Sequence, residues 1–276
     1  MAEIGVCSWS LQATSVPELK TLMRDVGGAV VQVGLGDPTH GSWEEGDGLI
    51  ETFLDSGLTI SATMIGFPGE DYTSPATIQR TGGFSDPATR EERLAIFRHA
   101  VDQTKALGVD LISCHAGYIP PSGNAARGDF LDCLGDAVSY AEENEIGVAL
   151  ETGQESADLL RRTLDEMSMD GLGVNFDPAN MILYDEGDPI DAVKLLGPDI
   201  FHVHFKDATP PAAPGEWGTE VPLGEGHVGM ASYLEVLAAV GYDGPLIVER
   251  EVGTQEQRVA DIRQGVHTLR RLLTER

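Results

Sequence analysis

A chain of 276 residues with 41% hydrophobic composition is long enough to bury one large core, so a single domain is expected rather than two. A formal net charge of −27, with lysine confined to Lys20, Lys105, Lys194 and Lys206, opposes a phosphate backbone and excludes nucleic acid as the expected partner. Cys7, Cys114 and Cys133 lack CxxC spacing, which excludes a disulfide framework or a thiolate zinc site, and no apolar run reaches the ~18 residues of a membrane span.

Taken in chain order, apolar runs alternate with amphipathic segments throughout. Strands are predicted near 4–9, 29–34, 58–65, 109–115, 146–151, 172–177, 200–205 and 245–250. They read as continuous apolar runs, as expected when both sheet faces are covered. Eight such strands with helices between them predict a (β/α)8 TIM barrel over residues 1–276. The helices carry start and stop signals. Ser15-Val16-Pro17-Glu18 offers a capping box, and Asp86-Pro87 opens a helix carrying Leu94, Phe97 and Val101 that Gly108 closes. Asp188-Pro189 opens another, which ends at Gly197-Pro198, and a stripe of Tyr233, Leu234 and Leu237 ends at Gly241. Two loops, from Phe67 to about Ser85 and from Ala208 to about Gly229, are long for a compact domain and would cover the C-terminal face of a barrel. No GxGxxG or GxxxxGK[ST] cradle stands in a strand-turn-helix setting, so a nucleotide cofactor is not indicated.

Four strand-like stretches end in residues suited to a hard metal ion: Glu151 after Val148-Ala149-Leu150, Asp177 after Val174-Asn175-Phe176, His204 in Phe201-His202-Val203-His204, and Glu249 after Leu246-Ile247-Val248. Such groups are expensive to bury unless their charge is compensated. One divalent cation at the barrel mouth accounts for all four; the alternative is pairing of the three acids with arginines at the rim. Alternation along a strand puts His202 and His204 on one face, with His204 nearer the mouth and His202 a deeper, hydrogen-bonded residue. Three carboxylates and one imidazole suit Mn²⁺, Mg²⁺ or Co²⁺.

These motifs also carry a resemblance. Leu150-Glu151-Thr152-Gly153, Asn175-Phe176-Asp177-Pro178-Ala179-Asn180, His202-Val203-His204-Phe205-Lys206-Asp207, Pro222-Leu223-Gly224-Glu225-Gly226 and Gly241-Tyr242-Asp243-Gly244 leading into Ile247-Val248-Glu249 occur in this order. The chain thereby resembles the xylose-isomerase-like barrel superfamily of sugar isomerases and epimerases, which also includes endonuclease IV. The resemblance implies that Glu151, Asp177, His204 and Glu249 bind one divalent metal. Mn²⁺ is favoured, with Mg²⁺, Co²⁺ and Zn²⁺ as alternatives. It implies that Glu151 and Glu249 are the acid/base pair acting beside a carbonyl of a small sugar, ketosugar or keto-inositol, through an enediolate. Dimers or tetramers are common among similar proteins, and a cytoplasmic location is expected.

Further candidates for substrate contact are His115, Lys206, Asn180, Glu225 and Trp9. Four of them have a structural alternative: a satisfied histidine for His115, a salt bridge to Asp207 or Glu225 for Lys206, a capped turn for Glu225, barrel filling for Trp9. His40, His99 and His267 are expected in solvent. The chain departs from ketose 3-epimerases at Asn180, where they carry histidine, and at Ala157, where they carry glutamate. Asparagine donates a hydrogen bond but does not titrate near neutral pH. A metal-dependent lyase or dehydratase acting on keto-sugars such as 3-keto-glycosides is the runner-up, since it begins with the same enolate. A carbohydrate-binding barrel without catalysis and an endonuclease IV-like repair enzyme are more distant alternatives.

Overall fold

A computed structural model describes residues 2–36 and 43–275; His40 lies outside them. The strands are β1 Ile4–Cys7, β2 Val30–Gly36, β3 Ile60–Ile65, β4 Leu111–Cys114, β5 Gly147–Glu151, β6 Leu172–Phe176, β7 Ile200–Phe205, β8 Asp207–Thr209, β9 Thr219–Val221 and β10 Leu246–Val248. Eight of them close a parallel barrel in the order β1-β10-β7-β6-β5-β4-β3-β2, while β8 and β9 pair antiparallel above it. The helices are α1 Val16–Val26, α2 Leu49–Ser56, α3 Pro75–Thr81, α4 Arg90–Ala106, α5 Arg127–Glu143, α6 Ala157–Met167, α7 Pro178–Leu183, α8 Pro189–Leu196, α9 Met230–Ala239 and α10 Gln255–Thr274. This is the TIM barrel expected from the alternation of apolar runs and amphipathic segments. No described helix is long and apolar enough to cross a membrane.

The helical faces close the core as their patterns require. Leu19, Met23 and Val26 of α1 are buried, and so are Phe97 and Val101 of α4 and Tyr233, Leu234 and Leu237 of α9. Asp188 caps α8 through the N–H groups of Ile190 and Asp191. All three cysteines are free and buried.

Local chemistry moves several expected boundaries. β1 ends at Cys7, because Ser8 turns the chain into a short 3-10 segment, Trp9–Leu11, that lifts Trp9 to the mouth. The helix expected at Asp86-Pro87 starts at Arg90: the Asp86 carboxylate takes the Ala88 N–H and folds residues 86–89 into a turn. The capping box at Ser15 is not closed, since Glu18 reaches past Ser15 to the Thr14 N–H at 2.9 Å.

Both long loops contain regular structure. The first carries α3 and lies flush on the loop after β4: Phe84 N–H donates to Ala116 O at 2.7 Å, and a Cβ on Gly83 (φ +48°) would stand 2.1 Å from the Ala116 carbonyl carbon. Arg93 ties it down by donating to Thr81 O at 2.7 Å and Pro68 O at 3.0 Å. The second loop holds the β8–β9 hairpin. Its root is the Asp207 carboxylate, which accepts the N–H groups of Ala208 and Val228 on Oδ1 and of Gly224 and Gly226 on Oδ2. Glu220 fastens its other side by accepting from Arg250 Nη1 at 2.6 Å and Glu251 N–H at 2.9 Å.

Candidate metal centre and cavity

Parallel strands of a closed barrel deliver their C-terminal ends to one rim. Glu151 is the last residue of β5, Asp177 the first after β6, His204 the penultimate residue of β7, and Glu249 the first after β10. One ligand atom from each lies within 4.8 Å of all the others, and all four residues are buried. His204 Nδ1 is 3.2 Å from Glu249 Oε2, 3.5 Å from Glu151 Oε1 and 3.7 Å from Asp177 Oδ2.

Side chains of other strands decide which ligand atoms remain free. Asp177 caps α7, its Oδ1 accepting from Ala179 N–H at 2.8 Å and Asn180 N–H at 3.1 Å, which leaves Oδ2 for the cluster. Trp9 Nε1–H donates to Glu249 Oε1 at 2.7 Å, leaving Oε2. His204 Nε2–H donates to Gln32 Oε1 at 2.7 Å, so Nδ1 is the lone-pair nitrogen facing the acids. Asp177 Oδ2, His204 Nδ1 and Glu249 Oε2 are thus buried without a hydrogen-bond partner. Buried polar atoms are rarely left so, and three converging on one point fit a cation that would coordinate them.

The electrostatics agree. Burial by itself would raise the Glu249 and Asp177 carboxyls, but Lys206 and His204 outweigh it and hold both below the usual range. Burial likewise opposes ionisation of Glu151, and His115 and His204 overcome it. Burial disfavours charge on His204, yet Glu249 and the other neighbours drive it far up towards the imidazolium; a bound cation would take the place of that proton. His202, one layer deeper, donates from Nδ1–H to Asn175 Oδ1 (3.1 Å) and meets Ser61 Oγ through Nε2 (3.2 Å), and burial followed by repulsion from His204 lowers its pKa to about 3. Cys7 Sγ lies 3.7 Å from His204 Nε2, the nitrogen engaged with Gln32, and close to a Glu249 carboxylate oxygen; burial drives its thiol far up.

The remaining candidates sort clearly. The basic side chains beside Glu151, Asp177 and Glu249 are His115, His204 and Lys206. Lys206 pairs with neither Asp207 nor Glu225. It is buried, with Nζ 2.5 Å from Glu251, 3.1 Å from Glu249 and 3.6 Å from Asp177, because Asp207 is occupied by backbone N–H groups. Asn180 Nδ2 donates to Glu151 Oε1 at 3.1 Å and Thr152 O at 3.0 Å, while its Oδ1 accepts from Lys206 at 3.4 Å. His115 Nε2 lies 3.7 Å from Glu151 Oε1. Glu225 is a correction to the expected substrate contacts: it is exposed, its N–H closes a turn onto Pro222 O, and it lines no part of the cavity. His99 and His267 are exposed.

Above the cluster opens a cavity of about 480 Å³. Glu151, Glu249, Lys206, Asn180, Trp9 and His115 line its polar part, and Tyr72, Leu183, Tyr184 and Trp217 its upper wall. The Trp217 ring meets Tyr184 edge-on at 4.7 Å between centroids. A concave site with convergent polar groups under an apolar wall suits a small polyol ligand.

Two residues escaped sequence reasoning. Gln32 is a fully buried amide whose signal was present, a lone polar residue inside Val30-Val31-Gln32-Val33. Its Nε2 donates to Ser113 Oγ at 2.8 Å, which holds the amide against His204. Gln32→Leu is expected to weaken metal binding ~10–100-fold with the fold retained, read by competition with a chelating dye; undiminished affinity would show that His204 needs no such support.

The other is Glu155, buried in the loop after β5, whose pKa burial and then Glu186 raise to about 8. The folded protein therefore holds a proton there that the unfolded chain releases from about pH 4.5. Stability should be intact at low pH and fall as pH rises towards 8. Glu155→Gln removes the titration, so at pH 8 it should be more stable than the native chain by on the order of 3–5 kcal/mol, and about equal near pH 4. Urea unfolding at both pH values checks this, and a pH-independent difference would contradict it.

Sequence comparison places these features among known proteins. The model of the family described as xylose isomerase-like TIM barrel matches residues 23–272. Among solved structures, a xylose isomerase domain protein from Planctomyces limnophilus is 32% identical, covers 99% of this chain and 97% of its own, and superposes with a TM-score of 0.86. An uncharacterized Escherichia coli K12 protein, YihM, is 29% identical over 56% of this chain. The L-ribulose-5-phosphate 3-epimerase UlaE of E. coli O17:K52:H18 is 26% identical over 65% of it. The chain spans 49% and 63% of the lengths of these two curated relatives.

Proposed function

Since this chain belongs to the xylose isomerase-like TIM barrel family, we propose that it is a sugar isomerase or epimerase that moves a proton beside a carbonyl, with one divalent cation held by Glu151, Asp177, His204 and Glu249. The observation that carries this reading is the convergence, beneath a polar cavity, of three buried ligand atoms that no hydrogen bond satisfies. The likeness to an L-ribulose-5-phosphate 3-epimerase supports the reaction class. When bound, the cation would supply a Lewis acid that lowers the cost of removing a proton next to a carbonyl. Mn²⁺ is the proposed ion, since three carboxylates and one imidazole form a predominantly hard donor set.

The chain's own groups then have distinct tasks. Glu151 and Glu249 stand three strands apart round the barrel, both lining the cavity. One can take the proton beside the carbonyl, and the other can return one to the opposite face, which inverts that carbon. If one group does both, the outcome is aldose–ketose isomerisation. Trp9 holds Glu249 through Oε1, and Asn180 holds Glu151 through Oε1, so each carboxylate meets the ligand in one orientation. Lys206 lines the cavity beside Glu249 and can hold negative charge developing on a substrate oxygen. Asn180 cannot carry a proton between groups; here it is a positioning residue.

The test is deuterium exchange followed by NMR, with metal-loaded protein in D₂O and a panel of ketoses and keto-inositols. Deuterium at the carbon beside the carbonyl, with every substituent retained, is the expected result; no exchange with any substrate would sink the reading. A lyase acting on keto-glycosides is the second reading, favoured by the aromatic wall of Tyr184 and Trp217, which could face a second ring. Release of that ring in the same spectra would establish it.

A further inference from the structure

We infer that the substrate of this site is an unphosphorylated sugar, because among the described residues the backbone cradle after the seventh barrel strand and both cations of the cavity are engaged by the protein's own groups. The inference rests on the reading of the site as a sugar isomerase or epimerase, and concerns which sugars it accepts.

In β/α barrels a phosphate is commonly held by the loops after the seventh and eighth barrel strands, through backbone N–H groups and a helix N-terminus. Here those loops follow β7 and β10. The first has the makings of an anion cradle: a glycine-rich turn, Gly224-Glu225-Gly226, with N–H groups pointing to one centre. That centre is occupied. Asp207 places one carboxylate oxygen 2.9 Å from Gly224 N and 3.0 Å from Gly226 N, and the other 3.0 Å from Ala208 N and 3.1 Å from Val228 N. Asp207 is itself buried, and a Cβ on Gly226 would stand 2.2 Å from its Oδ1, so there is no room beside it for a second anion.

The loop after β10 is engaged in part as well, through two N–H groups. It leads into α10, whose N-terminus carries a capping box: Thr254 accepts from Gln257 N–H while Gln257 accepts from Thr254 N–H.

The cations are committed as well. Lys206 and Arg258 are the lysine and arginine lining the cavity among the described residues, against five glutamates. Lys206 sits among Glu251, Glu249 and Asp177. The Arg258 guanidinium donates to the backbone carbonyls of Gly253, Trp9 and Glu251. Among the described lining residues, a sugar phosphate would therefore bring its charge towards five carboxylates with both cations already engaged and only neutral donors such as the Trp217 Nε1–H left over, and desolvating a dianion against such a lining is unfavourable. A polyol end, by contrast, can donate hydroxyl protons to those same glutamates.

The experiment uses the metal-loaded full chain with matched pairs: L-ribulose against L-ribulose 5-phosphate, and D-fructose against D-fructose 6-phosphate. Deuterium exchange in D₂O gives kcat/KM, and calorimetry gives Kd for the same compounds. The expected result is exchange with a free ketose at a kcat/KM at least ~100-fold above that of its phosphate. Equal or faster exchange of a phosphorylated partner overturns the inference while leaving the isomerase reading intact. Should no ketose of either kind exchange, the isomerase reading fails and the Kd values decide: a phosphate ester that binds tighter than its parent sugar overturns the inference, and one that binds no tighter supports it.

Discussion

Glu249→Gln is expected to slow proton exchange at the substrate carbon by at least ~10³-fold, while the protein stays folded. Glutamine matches the side chain in shape, and its oxygen can still accept the Trp9 N–H that Glu249 Oε1 accepts at 2.7 Å. It cannot take up a proton, and it presents an amide to the metal cluster in place of charge. Metal content, measured on the same sample, separates the two roles: activity lost with metal retained assigns proton transfer, and activity lost together with metal assigns ligation. Trp9→Phe is the milder companion. It removes the donor that aims Glu249 but leaves the carboxylate, so a loss of about ten-fold, below that of Glu249→Gln, is expected. Exchange by Glu249→Gln within ten-fold of the native protein would remove Glu249 from the mechanism.

The second large effect concerns the cation. Manganese at about 100 times its Kd should stabilise the native chain by ~2.7 kcal/mol, because only the folded barrel assembles all four ligands. For a protein of this size that corresponds to a rise in Tm of roughly 5 °C. His204→Ala should abolish the rise and weaken metal binding by more than the ~10–100-fold expected from losing the outer partner Gln32. The physical source is specific. His204 Nδ1 is the neutral donor of the set and stands closest to Glu249 Oε2, at 3.2 Å, within the group formed with Glu151 and Asp177. An unchanged metal-dependent shift in His204→Ala would place the ion elsewhere.

Much of the architecture was legible because it rests on local rules. Helix and strand periodicities differ, and the capping residue Asp188 and the closing glycine Gly241 mark element ends. The boundaries that moved did so through side chain–backbone bonds with short-range competitors. Asp86 folds its own turn, and Glu18 prefers the Thr14 N–H to that of Ser15. The β8–β9 hairpin had little signal, since three-residue strands show hardly any alternation and this pair depends on Asp207 and Glu220 finding distant backbone groups. Glu225 misled for the same reason: its flanking glycines mark a turn built round Asp207, not a side chain aimed at a ligand.

At the site, the sequence by itself determined the residue types of the proposed ligands and their level in the barrel. Glu151, Asp177, His204 and Glu249 stand at strand exits, and parallel strands of one barrel bring such exits to one rim. Only the tertiary structure decided which atoms of those residues are free. Trp9 takes one oxygen of Glu249 from 240 positions away, and Gln32 takes the far nitrogen of His204 from 172 positions away. Hydrogen bonds between side chains from distant parts of the chain depend on packing of the closed barrel, whereas a residue's place along its own strand follows from the alternation of its neighbours in sequence.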